Sequence, residues 1–238
     1  MNTTQKTART AGLLYLMYIV VHVLADVIGR SKIIVYGDAA ATAENMLAAT
    51  GQFRLGFMLD LCAAVLFLLT AWALYRLLKP VNEHFALLFL LLNLGGVAIQ
   101  AASDLFLPVS QLLSSADYAK VFQADQLQAL SMAFLYLYKN GFMIAQIFYG
   151  AWLFPLGYAV FKSGFLPKIL GVVLMVHCCT WLLTSLQFFF FPAFTAITYI
   201  SYPLGLIAEC GLSLWLLIKG ATEQLAANPI LKPAGRLP

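Results

Sequence analysis

The amino-acid sequence predicts an all-α, polytopic integral membrane protein, a bundle of six transmembrane helices with both termini in the cytoplasm. Hydrophobic residues fill 62% of the 238 positions and charged residues only 10%, whereas soluble domains carry about 25% charged residues. Six apolar runs reach the length of about 20 residues with which a helix crosses the hydrocarbon core of a bilayer. A water-soluble fold is therefore excluded.

The six runs are expected to form a single membrane-embedded helical domain at residues 1–220, followed by a cytoplasmic tail at 221–238. Their bounds are 11–29, 55–78, 85–107, 141–161, 167–190 and 200–218. Basic residues precede the first run, as they do in a signal peptide, but this run has spanning length and contains His22 and Asp26. We therefore expect a retained first helix.

Basic residues between the runs predict the orientation. With the N-terminus inside, the inner segments hold nine of them: Lys6, Arg9, Arg76, Lys79, Lys162, Lys168, Lys219, Lys232 and Arg236. The outer segments hold five: Arg30, Lys32, Arg54, Lys120 and Lys139. Because cytoplasmic loops carry the excess of basic residues, both termini are predicted to be cytoplasmic, in an inner (plasma) membrane.

Two outer segments carry local signals of their own. Asp38 precedes a run of strong helix formers at 39–47, so it is expected to cap a short surface helix. Residues 127–138, ahead of the fourth run, are also apolar and helix-permissive. The fourth span is therefore either one helix of about 35 residues, or it breaks at Gly141 and its first part lies across the outer mouth.

Composition and motifs exclude several functions. The net charge is +4, but the basic residues lie at helix ends, where membrane insertion uses them, so no nucleic-acid partner is expected. The sequence contains no phosphate-binding loop and no nucleophile elbow, so nucleotide-driven chemistry is not supported. The cysteines lie inside apolar runs and are interpreted as packing residues: Cys62, Cys178, Cys179 and Cys210.

Several stretches, in order along the chain, resemble a bacterial multi-spanning membrane protein family catalogued as domain of unknown function family 4386. They are ARTAGLLYL at 8–16, GDAAAT at 37–42, FRLG at 53–56, LKPVN at 78–82, FKSGFLPKILG at 161–171 and IAE at 207–209. The resemblance implies a polytopic bacterial membrane protein. It implies no reaction and no catalytic residue, because the family resemblance brings no assigned activity.

Ionisable and amide side chains within the spans are the candidates for a function. A charged side chain at the bilayer centre costs about 2.5–3.5 kcal/mol on insertion scales, so such residues face the bundle interior and pair with one another. Arg54 and Asp60 point to different faces of the second span, and Asp60 is the one expected to face inward. From the midplane outward, the candidates are His22, His177, Glu209, Gln100, Asp26, Asp60, Asp104 and Lys139.

We expect these side chains to bind a small polar solute or ion in one outward-facing cavity, bounded by helices 1, 3, 4, 5 and 6. Opposite charges at one level would hold a zwitterionic or amine-bearing ligand, while the midplane residues His22, His177 and Glu209 would relay a proton. The cavity would serve transport or sensing.

Two alternatives stay open. A divalent metal held by His22, Asp26, His177 and Glu209 would activate water, which is the chemistry of a membrane-embedded hydrolase acting on lipid or amide. Alternatively, the polar residues only form hydrogen bonds between helices and bind no ligand. Membrane lipids are expected partners in every case, and an oligomer is expected if the chain transports a solute, because six helices make a small transporter.

Overall fold

The computed structural model describes residues 3–113 and 118–221, so nearly all of the predicted tail at 221–238 lies outside the described residues. The described chain folds into α1 (Thr3–Gly29), α2 (Ala39–Ala48), α3 (Thr50–Leu78), α4 (Glu83–Asp104), α5 (Phe106–Leu112), a 3-10 turn (Tyr118–Lys120), α6 (Ala124–Lys162), α7 (Lys168–Phe190), α8 (Ala196–Gly205), a π-helical turn (Leu206–Cys210) and α9 (Gly211–Ile218).

Among the described residues, six helical segments are long and apolar enough to cross a membrane: Thr3–Gly29, Thr50–Leu78, Glu83–Leu112, Ala124–Lys162, Lys168–Phe190 and Ala196–Ile218. No strand occurs in the part of the chain that the structure describes. The prediction of an all-α protein with six spans is confirmed, and the protein is a multi-pass membrane protein. The orientation of its termini stays a prediction.

Helix α2 is the short surface helix that Asp38 was expected to cap. Asp38 has extended backbone dihedrals, and its Oδ1 accepts a hydrogen bond of 2.9 Å from the backbone N–H of Ala41. This bond satisfies one of the amide groups that the first turn of a helix leaves without a partner. Thr42 stabilises the preceding loop. Its Oγ1 accepts a hydrogen bond from the backbone N–H of Val35 and donates one to the backbone carbonyl of Val35.

Helix α6 continues through Gly141 without a break and is 39 residues long. Of the two forms that the sequence allowed for the fourth span, the structure therefore has the single long helix. Gly141 is needed there for packing, because a Cβ at this position would lie 2.8 Å from the Cβ of Ser103 on α4. The missing side chain lets α4 and α6 approach closely.

The chain divides into two compact units. Unit 1 comprises Met1–Leu16, Leu68–Leu94 and Gln146–Pro238, and unit 2 comprises Met17–Phe67 and Gly95–Ala145. The single domain predicted for residues 1–220 stays a prediction.

Unit 2 has its own apolar core, to which α2, α3, α5 and α6 all contribute. Its buried members are Ile33, Ile34, Met46, Phe53, Leu107, Met132, Leu135 and Tyr138. Beside this core α1 crosses α3 at Gly29 and Gly56, and a Cβ on either glycine would collide with the Cα of the other. This backbone contact fixes the register of the two helices at the crossing.

Unit 1 is organised around Trp152 on α6, whose indole lies edge-on to the rings of Tyr15 and Phe89. Helices α6 and α7 cross at Gly157 and Gly171, where a Cβ on Gly171 would lie 2.6 Å from the Gly157 carbonyl oxygen. This close crossing positions α7, which carries His177 into the interior of the unit.

Candidate functional site

The central feature of unit 2 is an ion pair between Arg30 and Asp60. Arg30 directly follows α1, and its Nη1 donates a hydrogen bond to Oδ2 of Asp60 on α3. Its Nε lies 3.4 Å from Oδ1 of Asp26, one turn earlier on α1. Arg30 is only 8% exposed and Asp60 is fully buried, so both partners are removed from solvent.

The charges around Arg30 keep its guanidinium protonated. Burial by itself lowers the pKa of Arg30, but the acidic groups around it, namely Tyr138, Asp60, Asp26 and Asp104, outweigh burial and raise the pKa overall. Arg30 is therefore a permanent cation.

Asp104 adds a third carboxylate to this cluster. It is the last residue of α4 and is fully buried. Neither of its carboxylate oxygens has a hydrogen-bond partner among the described residues, and the same holds for Oδ1 of Asp60. Asp104 interacts electrostatically with both Asp60 and Arg30. Three carboxylates thus surround one guanidinium, and we call Asp26, Arg30, Asp60 and Asp104 the acidic cluster.

Aromatic side chains form part of the wall of the acidic cluster. The guanidinium carbon of Arg30 lies 5.9 Å from the ring centroid of Tyr138. Burial raises the pKa of Tyr36 to about 12, so this phenol is neutral at physiological pH. The ammonium group of Lys139 lies 4.4 Å from the centroid of the Tyr36 ring, in a cation–π contact.

The other polar side chains of unit 2 that the sequence singled out are outside the acidic cluster as defined here. His22 on α1 stacks on Tyr18 and on Phe142, at centroid distances of 5.8 and 6.1 Å. Gln100 is buried one turn before Asp104 on α4. Arg54 bonds instead to a side chain of α5, since its Nε donates to Oε1 of Gln111 at 3.1 Å.

Unit 1 contains a separate chain of polar contacts, centred on Glu209. The hydroxyl of Tyr15 donates a hydrogen bond of 2.6 Å to Oε2 of Glu209, and Nε2 of His177 lies 3.6 Å from Oε1 of the same carboxylate. The other imidazole nitrogen, Nδ1, lies 3.4 Å from Oγ1 of Thr180, which accepts a hydrogen bond from Ser201. This chain of polar contacts links α1, α7, α8 and the π-helical turn.

The backbone of the last span is adapted to this chain. Glu209 lies within the π-helical turn Leu206–Cys210, and such turns occur frequently at functional sites. Gly205 immediately precedes the turn, and a Cβ there would lie 2.6 Å from Nε2 of His177. The imidazole thus occupies space that only glycine leaves open.

The indole of Trp181 lies against the imidazole of His177. The two rings are 5.2 Å apart and T-shaped, and Nε1 of Trp181 donates to Oε1 of Gln146 at 3.1 Å. His177 is therefore enclosed, and it is only 1% exposed.

The predicted site residues fall into both units. His22, Asp26, Asp60, Gln100, Asp104 and Lys139 belong to unit 2, whereas His177 and Glu209 belong to unit 1. Within residues 3–113 and 118–221, no three His, Cys, Asp or Glu side chains form a group that could hold a metal ion. Sequence reasoning missed Arg30 as a site residue, although its spacing of four residues from Asp26 was a usable signal.

The family model described as Domain of unknown function (DUF4386) matches residues 10–220. No curated protein and no solved structure matches the chain.

Proposed function

The chain belongs to the DUF4386 family of unknown function, and on the geometry of the acidic cluster we propose that it binds a small monovalent cation within the membrane, either an alkali metal ion or a protonated amine. The sequence predicts a small polar solute or ion as the ligand, and we propose more specifically that this ligand is positively charged. Transport or sensing of that cation is the function that such a site would serve.

The proposal rests on the fully buried carboxylate of Asp104, which accepts no hydrogen bond from the described residues. A buried carboxylate that lacks a hydrogen-bond partner costs several kcal/mol when it is ionised, and this cost falls when a cation accompanies it. Arg30 offsets part of this cost through its charge, but its guanidinium bonds Asp60, lies beside Asp26 and donates no hydrogen bond to Asp104. The cluster thus has carboxylate oxygens available and an excess of negative charge.

The same charge balance favours a cation over a zwitterion. A zwitterionic ligand needs a cationic group with donors directed at its acid end, and the one guanidinium of the cluster is already engaged by two aspartates. In the predicted orientation the cluster lies toward the outer ends of the spans, since Arg30 follows α1 and Asp104 ends α4. A cation would therefore enter from the outer side.

The alternatives have less support. A purely structural network would satisfy its own hydrogen bonds, as buried polar groups normally do, and the two oxygens of Asp104 depart from that pattern. The metal-dependent hydrolase needs at least three protein ligands on one divalent ion, and no such group of His, Cys, Asp or Glu side chains occurs within the described residues. A monovalent cation needs only the carboxylate oxygens of Asp104 and Asp60 that accept no hydrogen bond from that part of the chain. Neither alternative explains a third carboxylate beside the ion pair.

Thermal unfolding of the detergent-purified protein tests the proposal. We expect sodium, potassium or methylammonium chloride to raise the melting temperature above that in N-methylglucamine chloride of equal ionic strength. Asp104→Asn, which keeps the size of the side chain, should abolish this rise. Glu44→Gln on α2 is the matched control, because it removes an exposed acid of the same unit.

The melting temperature of Asp104→Asn in each of the four salts distinguishes the structural alternative. If Asp104 only held helices together, Asp104→Asn would lower the melting temperature equally in all four salts. The proposal is overturned if all four salts protect the wild type equally, or if sodium, potassium or methylammonium still protects Asp104→Asn.

A further inference from the structure

A cleft of about 330 Å³ in unit 2 lies outside the acidic cluster. It is lined by Phe53, Arg54, Phe57, Pro108, Gln111 and Leu112, which come from the first turns of α3 and from α5. Two hydrogen bonds hold these walls together. Arg54 donates to Gln111, whose Nε2 in turn donates to the carbonyl of Thr50 at 3.5 Å.

The cleft is amphiphilic. Its apolar walls are Phe53, Phe57, Pro108 and Leu112, and Arg54 is the one charged side chain among the described residues that line it. The cleft also borders exposed apolar surface, because its lining residue Leu112 is 52% exposed. Large exposed aliphatic side chains on a transmembrane helix contact lipid chains, so the cleft opens on the lipid-facing surface.

Arg54 has no anionic partner in the part of the chain that the structure describes. Its Nε donates to the neutral amide of Gln111, and its side chain is exposed. It lies one turn inside the N-terminal end of α3, close to the level at which a spanning helix meets lipid head groups. The N-terminal end of a helix also favours an anion.

We infer that this cleft binds an anionic membrane lipid, with its phosphate on Arg54 and an acyl chain against Phe53, Phe57 and Leu112. A guanidinium pairs with phosphate through parallel hydrogen bonds, and basic residues at the membrane surface attract anionic lipids. A free anion would leave the apolar walls exposed, and an uncharged head group would leave the guanidinium without a counter-charge. The site is independent of the acidic cluster.

Thermal unfolding of the full chain in mixed micelles tests the inference. Added phosphatidylglycerol should raise the melting temperature more than phosphatidylcholine at the same mole fraction. Arg54→Gln should weaken the apparent affinity for phosphatidylglycerol about fivefold. Arg76→Gln is the matched control, because Arg76 is an exposed arginine in the last turn of the same helix, and its loss should leave this affinity unchanged.

A second variant separates binding in the cleft from general attraction to a basic surface. Leu112→Trp fills the cleft from an exposed position and keeps Arg54, so it should abolish the effect of phosphatidylglycerol without loss of the fold. Inorganic phosphate should not protect. The inference is overturned if phosphate alone reproduces the protection, if phosphatidylcholine protects equally, or if both variants respond as the wild type does.

Discussion

Gly29 on α1 and Gly56 on α3 meet backbone to backbone, with no side chain between them. The residue after Gly29 is Arg30, and Asp60 lies one turn beyond Gly56 on α3. The glycine crossing therefore sets the distance over which the ion pair of the acidic cluster forms. Because this contact is local, its contribution can be measured by adding one methyl group.

Gly56→Ala is expected to lower the free energy of unfolding by about 1–3 kcal/mol, because the new Cβ collides with the backbone of α1 and forces the helices apart. Gly51→Ala is the control on the same helix, since a Cβ there has no neighbour within 4 Å. It should be neutral or stabilising by up to about 1 kcal/mol, from helix propensity alone. Equal effects of the two substitutions in denaturant unfolding would contradict the close crossing.

Arg30→Gln should be more damaging than Gly56→Ala. It leaves Asp60 buried without its cation, and breaking one partner of a buried pair costs about 3–5 kcal/mol. The double variant Arg30→Gln with Asp60→Asn should recover part of this loss, because Asp60 then no longer carries an unpaired charge, whereas Asp104 still does. The measurement is a double-mutant cycle on the free energy of unfolding, and additive effects would show that the two side chains do not interact in solution.

Tyr15→Phe tests the polar chain of unit 1. Tyr15 is buried, and its hydroxyl donates to Glu209, so its loss should cost about 1.5–3 kcal/mol, as for a hydrogen bond to a charged group. In a Glu209→Gln background the same substitution should cost less. Tyr199→Phe, which removes a hydroxyl from an exposed ring on α8, should change the stability by less than about 0.5 kcal/mol. A Tyr15→Phe variant as stable as the wild type would refute this hydrogen bond.

Gly205→Ala is expected to displace the imidazole of His177, because its Cβ would lie 2.6 Å from Nε2. We expect a loss of about 1–3 kcal/mol, from overpacking. The loss should largely disappear in a His177→Ala background, which provides the space. Gly211→Ala is the control in the last span, since its nearest neighbour is a flexible leucine side chain at 3.3 Å. A loss that persists in the His177→Ala background would show that another contact of Gly205 is responsible.

The helical fold could be predicted from the sequence because its signals are local. Apolar runs of spanning length and the capping residue Asp38 each act within a few residues of the chain, and both predictions are confirmed. The continuity of α6 through Gly141 could not be decided in this way, since glycine is compatible with a break as well as with a close helix crossing. The Ser103 side chain that explains Gly141 lies on another helix.

The sites were only partly predictable, because their contacts depend on the register between helices. Arg30 was interpreted as one of several loop charges, and only the crossing of α1 with α3 brings it to Asp60. The π-helical turn around Glu209 has no sequence signature of its own, and it changes which residues of the last span share a face. Spacing within one helix identified candidates, but pairing between helices required the structure.

Direct cation binding to the purified protein tests the central claim most directly. A scintillation proximity assay measures this binding at constant ionic strength, with radiolabelled sodium and separately with radiolabelled methylammonium. The proteins compared are the wild type, Asp104→Asn and Glu44→Gln. We predict saturable binding of one cation per chain in the wild type and in Glu44→Gln, and none in Asp104→Asn. Absence of saturable binding of both cations to the wild type, or equal binding to Asp104→Asn, would contradict the assignment of the acidic cluster as a cation site.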